Sequence, residues 1–378
     1  MPELLITPKT KVAQLLDAFP QLEEILLEIS PAFVKLKNPV IAGSGEATMT
    51  EGGIRAALKA GTGAVIAKST NETDAAKRQL DHTDYMLLDS RWRAIEWTTN
   101  PPEDAQLFSR SGLLQEKFDV WLEKLVRLDR EAKAMDSYVV GKLSLANVDE
   151  CVRMAERMQE AGLRVIEVMA GAVHAEQAVK GAISLVRDPA GFQALAEALR
   201  KRIKLPLWIK LPQGEDVSLM AKAALDGGAD AVSFVDRTLA MVPDLKTRAP
   251  FLGTMGAIGG PWALPITCRW LARTRQRLGA KVPMIGTNGA RDGYDVARML
   301  LAGASAVEMT SAVMMRGARV LKQSIEELDG YLEEQGVSAS QIIGEATDKL
   351  TAYTDQPARP GRWKQFVRPE AWPDAEKS

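Results

Sequence analysis

One short pattern recurs four times along the chain and limits its fold more than any other feature. In each copy an amphipathic stretch ends at a glycine, and a short apolar run follows at once. A glycine at this point can take the left-handed conformation that ends a helix, and such a run forms a buried strand. The pattern therefore predicts helix-to-strand junctions of an alternating β/α fold. The copies are Lys59–Ile66, Glu160–Glu167, Asp226–Ser233 and Leu301–Glu308.

With the junctions located, eight apolar runs of strand length can be counted. Parallel strands in that number, alternating with helices, are what a (β/α)8 barrel requires. A doubly wound open sheet is the alternative, and it is disfavoured because no GxGxxG motif opens a helix after the first strand. The sequence thus predicts an α/β fold of the TIM-barrel class. The predicted strands are Val40–Ser44, Ala64–Ser69, Tyr138–Ser144, Val165–Met169, Leu207–Leu211, Ala231–Asp236, Met284–Asn288 and Ala306–Ser311.

Three regions follow from this count: an N-terminal helical segment (1–37), the barrel (38–336), and a C-terminal helix with an extended arm (337–378). Apolar residues at helical spacing in the first region predict a cap over the barrel or a dimer contact, with a partner-docking module as the alternative. Residues 354–378 are rich in Pro, Trp and charge, and we expect them to form an arm packed on a surface.

The segment Ser69–Asp136, between the second and third predicted strands, is long for a barrel loop. Its last part, around Phe118–Leu128, reads as an amphipathic helix. Loops that follow barrel strands lie over the active face, so we expect this segment to form a lid or a wall of the substrate site.

Composition excludes several classes of function. The 378 residues contain 48 basic and 49 acidic side chains, and this balance argues against a nucleic-acid footprint. No apolar run is long enough for a membrane span, and no basic start precedes an apolar run as in a signal peptide, so we expect a cytoplasmic enzyme. Two cysteines outside any CxxC pattern and two histidines argue against disulfides, iron–sulfur clusters and a metal site.

Two glycine- and hydroxyl-containing turns follow the last two predicted strands. Gly286, Thr287, Asn288 and Gly289 end the seventh strand, and Thr310 and Ser311 end the eighth. Backbone N–H groups at such turns, joined by hydroxyls, form a nest for a phosphate group, and barrels place phosphate sites after these strands. The alternative is a pair of tight turns with internally bonded hydroxyls.

Lys68 and Lys210 are each embedded in apolar strand sequence. A lysine inside a barrel is costly unless it is paired or meets an anionic ligand. A structural ion pair would satisfy either one. Both together, at the same face as a phosphate nest, suggest a phosphorylated, electron-rich cofactor such as a flavin. A Schiff-base lysine of an aldolase remains open at this point.

The order of motifs over about residues 38–336 resembles the FMN-containing dihydroorotate dehydrogenase and dihydropyrimidine dehydrogenase family. The resemblance is carried by Asn38–Gly45, Gly61–Ser69, Trp208–Pro212, Gly256–Pro261, Pro283–Gly289 and Ala302–Ser311. It implies an FMN-binding barrel. The cofactor contacts it implies are Ala42, Gly43, Ser44, Lys68, Ser69, Lys210, Gly259, Gly260, Gly286, Thr287, Asn288, Gly289, Thr310 and Ser311.

The chain departs from the family pattern at the substrate positions. Ala172 stands where the family has a catalytic cysteine or serine, and alanine cannot move a proton. Asparagines that bind substrate in the family are replaced here by other residues. Each hydrogen bond lost in a buried site is worth about 1 kcal/mol or more, so dihydroorotate and dihydrouracil are expected to be poor substrates. The replaced substrate positions are Ser109, Met169, His174 and Asp236.

Three residues are candidates for catalysis: His174, Asp236 and Lys68. His174 is the natural replacement base because its ordinary pKa suits proton transfer near neutrality, although a structural role is the alternative. Asp236 could act as a base, or could pair with Arg237 or Arg55. Lys68 is placed by the resemblance near the reactive ring.

The resulting hypothesis is an FMN-dependent oxidoreductase that acts on a CH–CH or C=C bond of a small molecule. A separate electron donor or acceptor is expected because no ferredoxin-like cysteine segment follows the barrel. The alternatives are a catalytically altered flavin-binding interaction module and a lysine-dependent aldolase or synthase. Residues Ile6–Val12 and Leu22–Leu26 also resemble a small helical domain of unknown function found on redox proteins. The family resemblance and the aromatic arm favour a homodimer.

Overall fold

The computed structural model describes residues 34–170 and 186–366. Numbered along the chain, its strands are β1 (Val40–Ala42), β2 (Ala64–Ile66), β3 (Asp84–Leu88), β4 (Ala94–Ile95), β5 (Gln106–Arg110), β6 (Tyr138–Ser144), β7 (Ile166–Met169), β8 (Leu207–Lys210), β9 (Ala231–Phe234), β10 (Thr238–Ala240), β11 (Gly256–Gly259), β12 (Met284–Thr287) and β13 (Ala306–Met309).

Its α-helices are α1 (Glu51–Lys59), α2 (Asp74–Arg78), α3 (Phe118–Lys133), α4 (Val148–Glu160), α5 (Pro189–Arg200), α6 (Val217–Asp226), α7 (Leu264–Leu278), α8 (Gly293–Ala302), α9 (Ser311–Arg316), α10 (Arg319–Gln335) and α11 (Glu345–Asp348). None of the helices in these two ranges is long and apolar enough to cross a membrane.

Eight parallel strands close into a barrel in the order β1-β13-β12-β9-β8-β7-β6-β2. These are the strands that the sequence predicts, so the (β/α)8 class is confirmed. Most predicted bounds run too far toward the carboxyl end, because residues such as Ser69 and Asp236 belong to the loops after the strands. Ser311 likewise begins α9 and does not end β13.

The four recurring junctions behave as the pattern predicts. Gly61, Gly162, Gly228 and Gly303 all have φ between +91° and +120°. This left-handed backbone is open to glycine at little cost and lets the chain leave a helix and enter the next strand within a few residues.

Each helix around the barrel buries one stripe of its surface. In α4, for example, the buried residues are Cys151, Met154, Ala155 and Met158, which recur at the helical spacing of three and four. Asn147 begins this helix by accepting a hydrogen bond from the Glu150 backbone N–H at 3.1 Å. The amphipathic helix predicted around Phe118–Leu128 is present as the longer α3.

A second, antiparallel sheet lies outside the barrel and is not predicted from the sequence. Its strand order is β10-β11-β5-β3-β4. Two separate excursions build it: β3, β4 and β5 come from the long segment between β2 and β6, whereas β10 and β11 follow β9. Strands this short carry little periodic signal, and their pairing joins residues far apart in sequence.

The described residues cover the two terminal regions of the three-region prediction only in part. Most of the predicted helical segment 1–37 lies outside the described residues, which begin at Val34. At the other end, α11 docks on the barrel helices through an ion pair between Arg275 and Asp348 (2.6 Å). Beyond it the expected packed arm is exposed within the single chain, with Tyr353 at 95% and Phe366 at 75% exposure.

Candidate active site

A cleft lies at the carboxyl ends of the barrel strands. The empty space in it is about 840 Å³, which includes the part that opens to solvent. The long segment between β2 and β6 contributes one wall, as the sequence predicts. The cleft is lined by Ser44, Lys68, Ser69, Gln79, Ser111, Gly112, Leu113, Lys142, Met169, Lys210, Asp236, Arg237, Thr287, Asn288, Gly289, Ala290, Glu308, Thr310 and Ser311.

One corner of the cleft combines hydroxyls, an amide and close backbone approaches. The side chains of Thr310 and Ser311 line it together with Asn288. The Asn288 Oδ1 accepts the Gly260 backbone N–H (3.2 Å), whereas its buried Nδ2 has no partner in the described part of the chain. A Cβ on Gly259 would lie 2.5 Å from the Ser311 Oγ, so only glycine allows this approach. An unused donor beside two hydroxyls fits a phosphate group.

Lys68 lines the same cleft and belongs to a buried cluster. Its Nζ lies 2.6 Å from the Glu46 Oε1, which also accepts a hydrogen bond from the Tyr85 hydroxyl (2.6 Å). Burial lowers the pKa of Lys68 below the ordinary value, and Glu46 only partly offsets that effect. Burial opposes ionisation of Glu46 as well, but the neighbouring Lys68 and the Tyr85 hydrogen bond leave its pKa below the usual range.

Two further lysines form buried ion pairs across the floor of the cleft. Lys142 on β6 pairs with Glu167 on β7 (2.5 Å), and Lys210 on β8 pairs with Glu308 on β13 (2.6 Å). All four residues are at least 97% buried. The Ser233 hydroxyl donates to Glu167 at 3.0 Å. The barrel floor is therefore a network of two cations and two carboxyl groups removed from water.

This network moves the pKa values of its members apart. Burial and the adjacent Glu167 raise the pKa of Glu308 to about 7. Burial acts in the same sense on Glu167, but Lys142 and Lys210 outweigh it and lower the pKa of that carboxyl. Burial alone would lower the pKa of Lys210, yet Glu308 and Glu167 raise it above its usual range. Lys210 is therefore held as a cation, which is the wrong state for a Schiff-base nucleophile.

Asp236 and Arg237 follow β9 and line the cleft side by side. Burial opposes the charge on Asp236, but Lys210, Arg237 and Lys142 lower its pKa overall. The Arg237 guanidinium donates to the hydroxyls of Ser109 (2.5 Å) and Ser111 (2.9 Å). Asp236 is therefore an ionised hydrogen-bond acceptor, and Arg237 faces neutral partners.

The structure gathers most of the residues predicted from the sequence. Met169 and Asp236 line the cleft from the predicted substrate set, whereas Ser109 is fully buried behind Arg237. His174 and Ala172 lie outside the described residues. Predicted cofactor residues on the cleft wall are Ser44, Lys68, Ser69, Lys210, Thr287, Asn288, Gly289, Thr310 and Ser311; Ala42, Gly43, Gly259, Gly260 and Gly286 do not line it.

One expectation needs correction. The alternative pairing of Asp236 with Arg55 is wrong, because Arg55 lies on α1 and pairs with Glu51 and Glu131. Gly286, a predicted cofactor contact, also has a packing role, because a Cβ there would lie 2.8 Å from the Met299 Sδ on α8. Its contact with the cofactor stays a prediction.

Sequence reasoning missed several residues of the cleft, above all Lys142, Glu308 and Arg237. Lys142 and Glu308 carry the same signal that singled out Lys68 and Lys210, a charged residue inside an apolar strand. Arg237 follows directly after a predicted strand, where barrel enzymes place functional side chains. The remaining missed residues come from the long segment and the β12 loop: Gln79, Ser111, Gly112, Leu113 and Ala290.

This parallel barrel has a cleft with buried lysines and a corner that suits a phosphate group. Such a site is typical of one class of enzyme, the barrel oxidoreductases that hold a phosphorylated flavin. Comparison with known proteins gives the family. The dihydroorotate dehydrogenase family model matches residues 98–332, more than half of the chain. The chain belongs to the dihydroorotate dehydrogenase family, and the resemblance seen in its motifs is confirmed.

Individual relatives agree with this assignment. A Lactobacillus helveticus protein named dihydroorotate dehydrogenase A (fumarate) is 30% identical over 316 residues, 82% of this chain and 95% of its own length. The catalytic subunit named dihydroorotate dehydrogenase B (NAD(+)) is 25% identical in Methanocaldococcus jannaschii over 334 residues, 85% of this chain and 99% of its own length. The counterpart of the same name in Pyrococcus furiosus is 28% identical over 315 residues, 82% and 95%.

The protein is thus an FMN-dependent oxidoreductase of the dihydroorotate dehydrogenase type. Its cleft fits the cofactor, because the unused Asn288 amide and the Thr310 and Ser311 hydroxyls suit a phosphate group. Lys68 and Lys210 would supply positive charge for the electron-rich ring. When bound, FMN supplies hydride transfer. Enzymes of this family use a small-molecule substrate and an electron donor or acceptor.

Proposed function

We propose that this enzyme oxidises or reduces a carbon–carbon bond of a small molecule other than dihydroorotate or dihydrouracil. The side chains at the predicted substrate positions carry this proposal. Met169 offers a thioether, ionised Asp236 only accepts hydrogen bonds, and the Ser109 hydroxyl is engaged by Arg237. An asparagine amide both donates and accepts, so a pyrimidine ring would lose the donors that its carbonyl oxygens require.

The residues of the cleft divide the remaining work. Lys210, held as a cation by Glu308, would stabilise negative charge on the bound ring, and Lys68 would stabilise charge on the ring and the substrate. The lowered pKa of Asp236 suits acceptance of a substrate N–H or O–H and makes this carboxylate a weak proton carrier near neutrality. We assign proton transfer to His174 as a sequence prediction. Electrons would pass to or from a separate donor or acceptor.

A simple reduction experiment tests the substrate. The purified FMN-loaded protein is mixed anaerobically with dihydroorotate or dihydrouracil, and the flavin absorbance near 450 nm is followed, a band that arises from the oxidised ring itself. We expect no bleaching on the time scale of turnover, whereas dithionite bleaches the flavin fully. The Methanocaldococcus jannaschii relative is the positive control. Rapid bleaching by dihydroorotate would overturn the proposal. Dihydroorotate is the substrate to test first, because the relatives are named dihydroorotate dehydrogenases.

A variant that restores amides sharpens this test. Met169→Asn combined with Asp236→Asn returns donors and acceptors to the two substrate positions. We expect the double variant to bind dihydroorotate about tenfold or more tightly than the parent, from two regained hydrogen bonds. Fluorescence titration of the bound flavin measures the affinity. An unchanged affinity would mean that these two side chains do not set the substrate preference.

If the protein carried FMN but no metabolite ever reduced or reoxidised it, the interaction-module alternative would replace the enzymatic proposal.

For the proton role, His174→Gln should change the pH profile of turnover with whichever substrate is found. A profile identical to that of the parent enzyme would exclude His174 as the base.

A further inference from the structure

Arg237 is the cation of the cleft that the proposed chemistry leaves without a task. It follows β9, lines the cleft, and is half-buried. The other cationic side chains of the cleft wall, Lys68, Lys142 and Lys210, each lie in an ion pair with a glutamate. Arg237 makes no ion pair with any residue in the described ranges and bonds through its side chain only to Ser109 and Ser111 there.

Most other half-buried arginines in the described ranges have a carboxylate partner; Arg316 is an exception and donates to the Arg291 carbonyl oxygen. Arg164 pairs with Asp129 at 2.7 Å, Arg200 with Asp230 at 2.5 Å, and Arg291 with Asp295 at 2.7 Å. A guanidinium removed from water is normally given a carboxylate, since its planar N–H groups match one. Arg237 instead has two hydroxyls, which occupy two of its five N–H donors.

The adjacent Asp236 is not the carboxylate partner that Arg237 lacks. Its carboxylate interacts most favourably with Lys210 and next with Arg237, but the side chains of Asp236 and Arg237 do not form an ion pair. Glu46, the other carboxylate that interacts with Arg237 at a distance, is committed to Lys68 and Tyr85. Toward the described residues, the guanidinium therefore keeps N–H donors that neither serine occupies.

The small sheet holds the Arg237 side chain in place. Thr238, the next residue, pairs with Ile258 on β11, and β11 pairs in turn with β5, which carries Ser109. Arg237 thus reaches its serine partners across one strand, and both serines are buried. A side chain tethered by buried hydroxyls of a rigid sheet is pre-organised for a ligand and loses little entropy when one binds.

The cleft also offers apolar surface. Leu113, Met169 and Ala290 line it together with Arg237 and are buried. Ligand sites usually combine such apolar side chains with a few placed polar or charged groups.

We propose that Arg237 is the specificity-determining residue of the substrate site and that it binds a carboxylate of the substrate through N–H groups that the serines leave free. The substrate is then a small carboxylic acid whose carbon chain lies against the apolar side chains of the cleft. This inference rests on the proposed function and narrows its substrate class.

Binding of matched acids and amides tests this assignment. The FMN-loaded full-length protein is titrated calorimetrically with crotonate and crotonamide, benzoate and benzamide, and succinate and succinamide. The variants are Arg237→Gln, Arg237→Lys, and Arg319→Gln as a control, since Arg319 is exposed and bonds to Thr99 and Asn100 away from the cleft. Heat-released FMN per chain shows for each variant that the cofactor site is intact.

We expect at least one acid to bind the parent protein and Arg319→Gln, and its amide to bind much more weakly. Arg237→Gln should lower the affinity for that acid about tenfold or more, and Arg237→Lys should retain only part of it because the planar fork is lost. Equal binding of acid and amide, equal binding by the parent and Arg237→Gln, or binding of none of the acids would overturn the assignment. Bleaching of the flavin by dihydroorotate tests the proposed function separately.

Discussion

Glu308 is a buried carboxyl group that shares the barrel floor with a second one, Glu167. The raised pKa of Glu308 and the lowered pKa of Glu167 mean that one proton is shared unequally across the network near neutral pH. Lys142 and Lys210 supply the compensating charge. Removing one partner of such a network leaves a charge buried without compensation, which costs more than an exposed ion pair contributes.

The stability of the protein should therefore depend on pH through Glu308. The folded pKa of about 7 lies above the ordinary value of 4.5. Between these values the folded chain holds a proton that the unfolded chain releases, so this contribution is full below about pH 4.5 and is lost as the pH rises through about 7. Glu308→Gln stays neutral throughout. Its free energy of unfolding relative to the parent should rise by about 3 kcal/mol between pH 5 and pH 8.

Urea denaturation at several pH values measures this difference. Glu334→Gln on the exposed side of α10 is the control and should follow the parent at every pH. A difference between Glu308→Gln and the parent that does not change with pH would mean that Glu308 is fully ionised in the folded protein.

At the scale of elements, the turn after β12 belongs to the corner of the cleft where we propose that a phosphate group binds. Asn288 has φ +67° and Gly289 has φ +125°. A Cβ on Gly289 would meet the Leu264 backbone N at 2.5 Å, and a backbone atom cannot move aside as a flexible side chain can. This turn is therefore shaped both by its own conformation and by the start of α7.

Gly289→Ala should damage this corner. We expect a loss of about 2 kcal/mol or more of folding free energy, from the positive φ and the backbone clash, together with weaker retention of FMN. Gly330→Ala is the matched control, because Gly330 lies inside α10 with nothing near the added Cβ, so this change should stabilise slightly. Thermal unfolding and heat-released FMN per chain measure both effects. Full FMN occupancy in Gly289→Ala would show that the turn does not hold the phosphate.

At the scale of the whole molecule, the boundary at residue 336 divides segments that are packed differently. Residues just beyond it belong to the barrel: Ile342 is buried, the Thr347 hydroxyl donates to the Ala302 carbonyl (2.9 Å), and Asp348 pairs with Arg275. The residues from Tyr353 to Phe366 are mostly exposed. The part of the chain that packs with the barrel therefore ends near Leu350.

Two truncations test this division. A chain ending at Gly336 loses Ile342 and leaves Arg275 unpaired, which should lower the melting temperature by roughly 5 °C or more. A chain ending at Leu350 should melt close to the full-length protein. If the aromatic arm makes the predicted homodimer contact, the shorter chain ending at Leu350 should be monomeric by light scattering. If the truncated chain were still a dimer, the arm would not be what joins the two copies.

The sequence by itself determined the barrel, because its signals are local. Glycines at four junctions and apolar runs of strand length are properties of a few adjacent residues, and they predicted the eight strands of the barrel. The hydroxyls after β13 are also a local signal; they line the cleft, and their role as a phosphate site stays a prediction. The family motifs are equally local, so the flavin could be predicted before the fold was known.

Only the tertiary structure decided which charges meet. Lys210 and Glu308 are 98 residues apart, and Arg237 and Ser109 are 128 apart. Neither contact produces a periodic pattern in the sequence. The ion pair depends on the register of the barrel strands, and the hydrogen bond depends on strands of the small sheet that come from two separate segments. The small sheet that holds Arg237 was missed for the same reason. The charged residues of the barrel floor can therefore be found in the sequence, but their partners are known only from the tertiary structure.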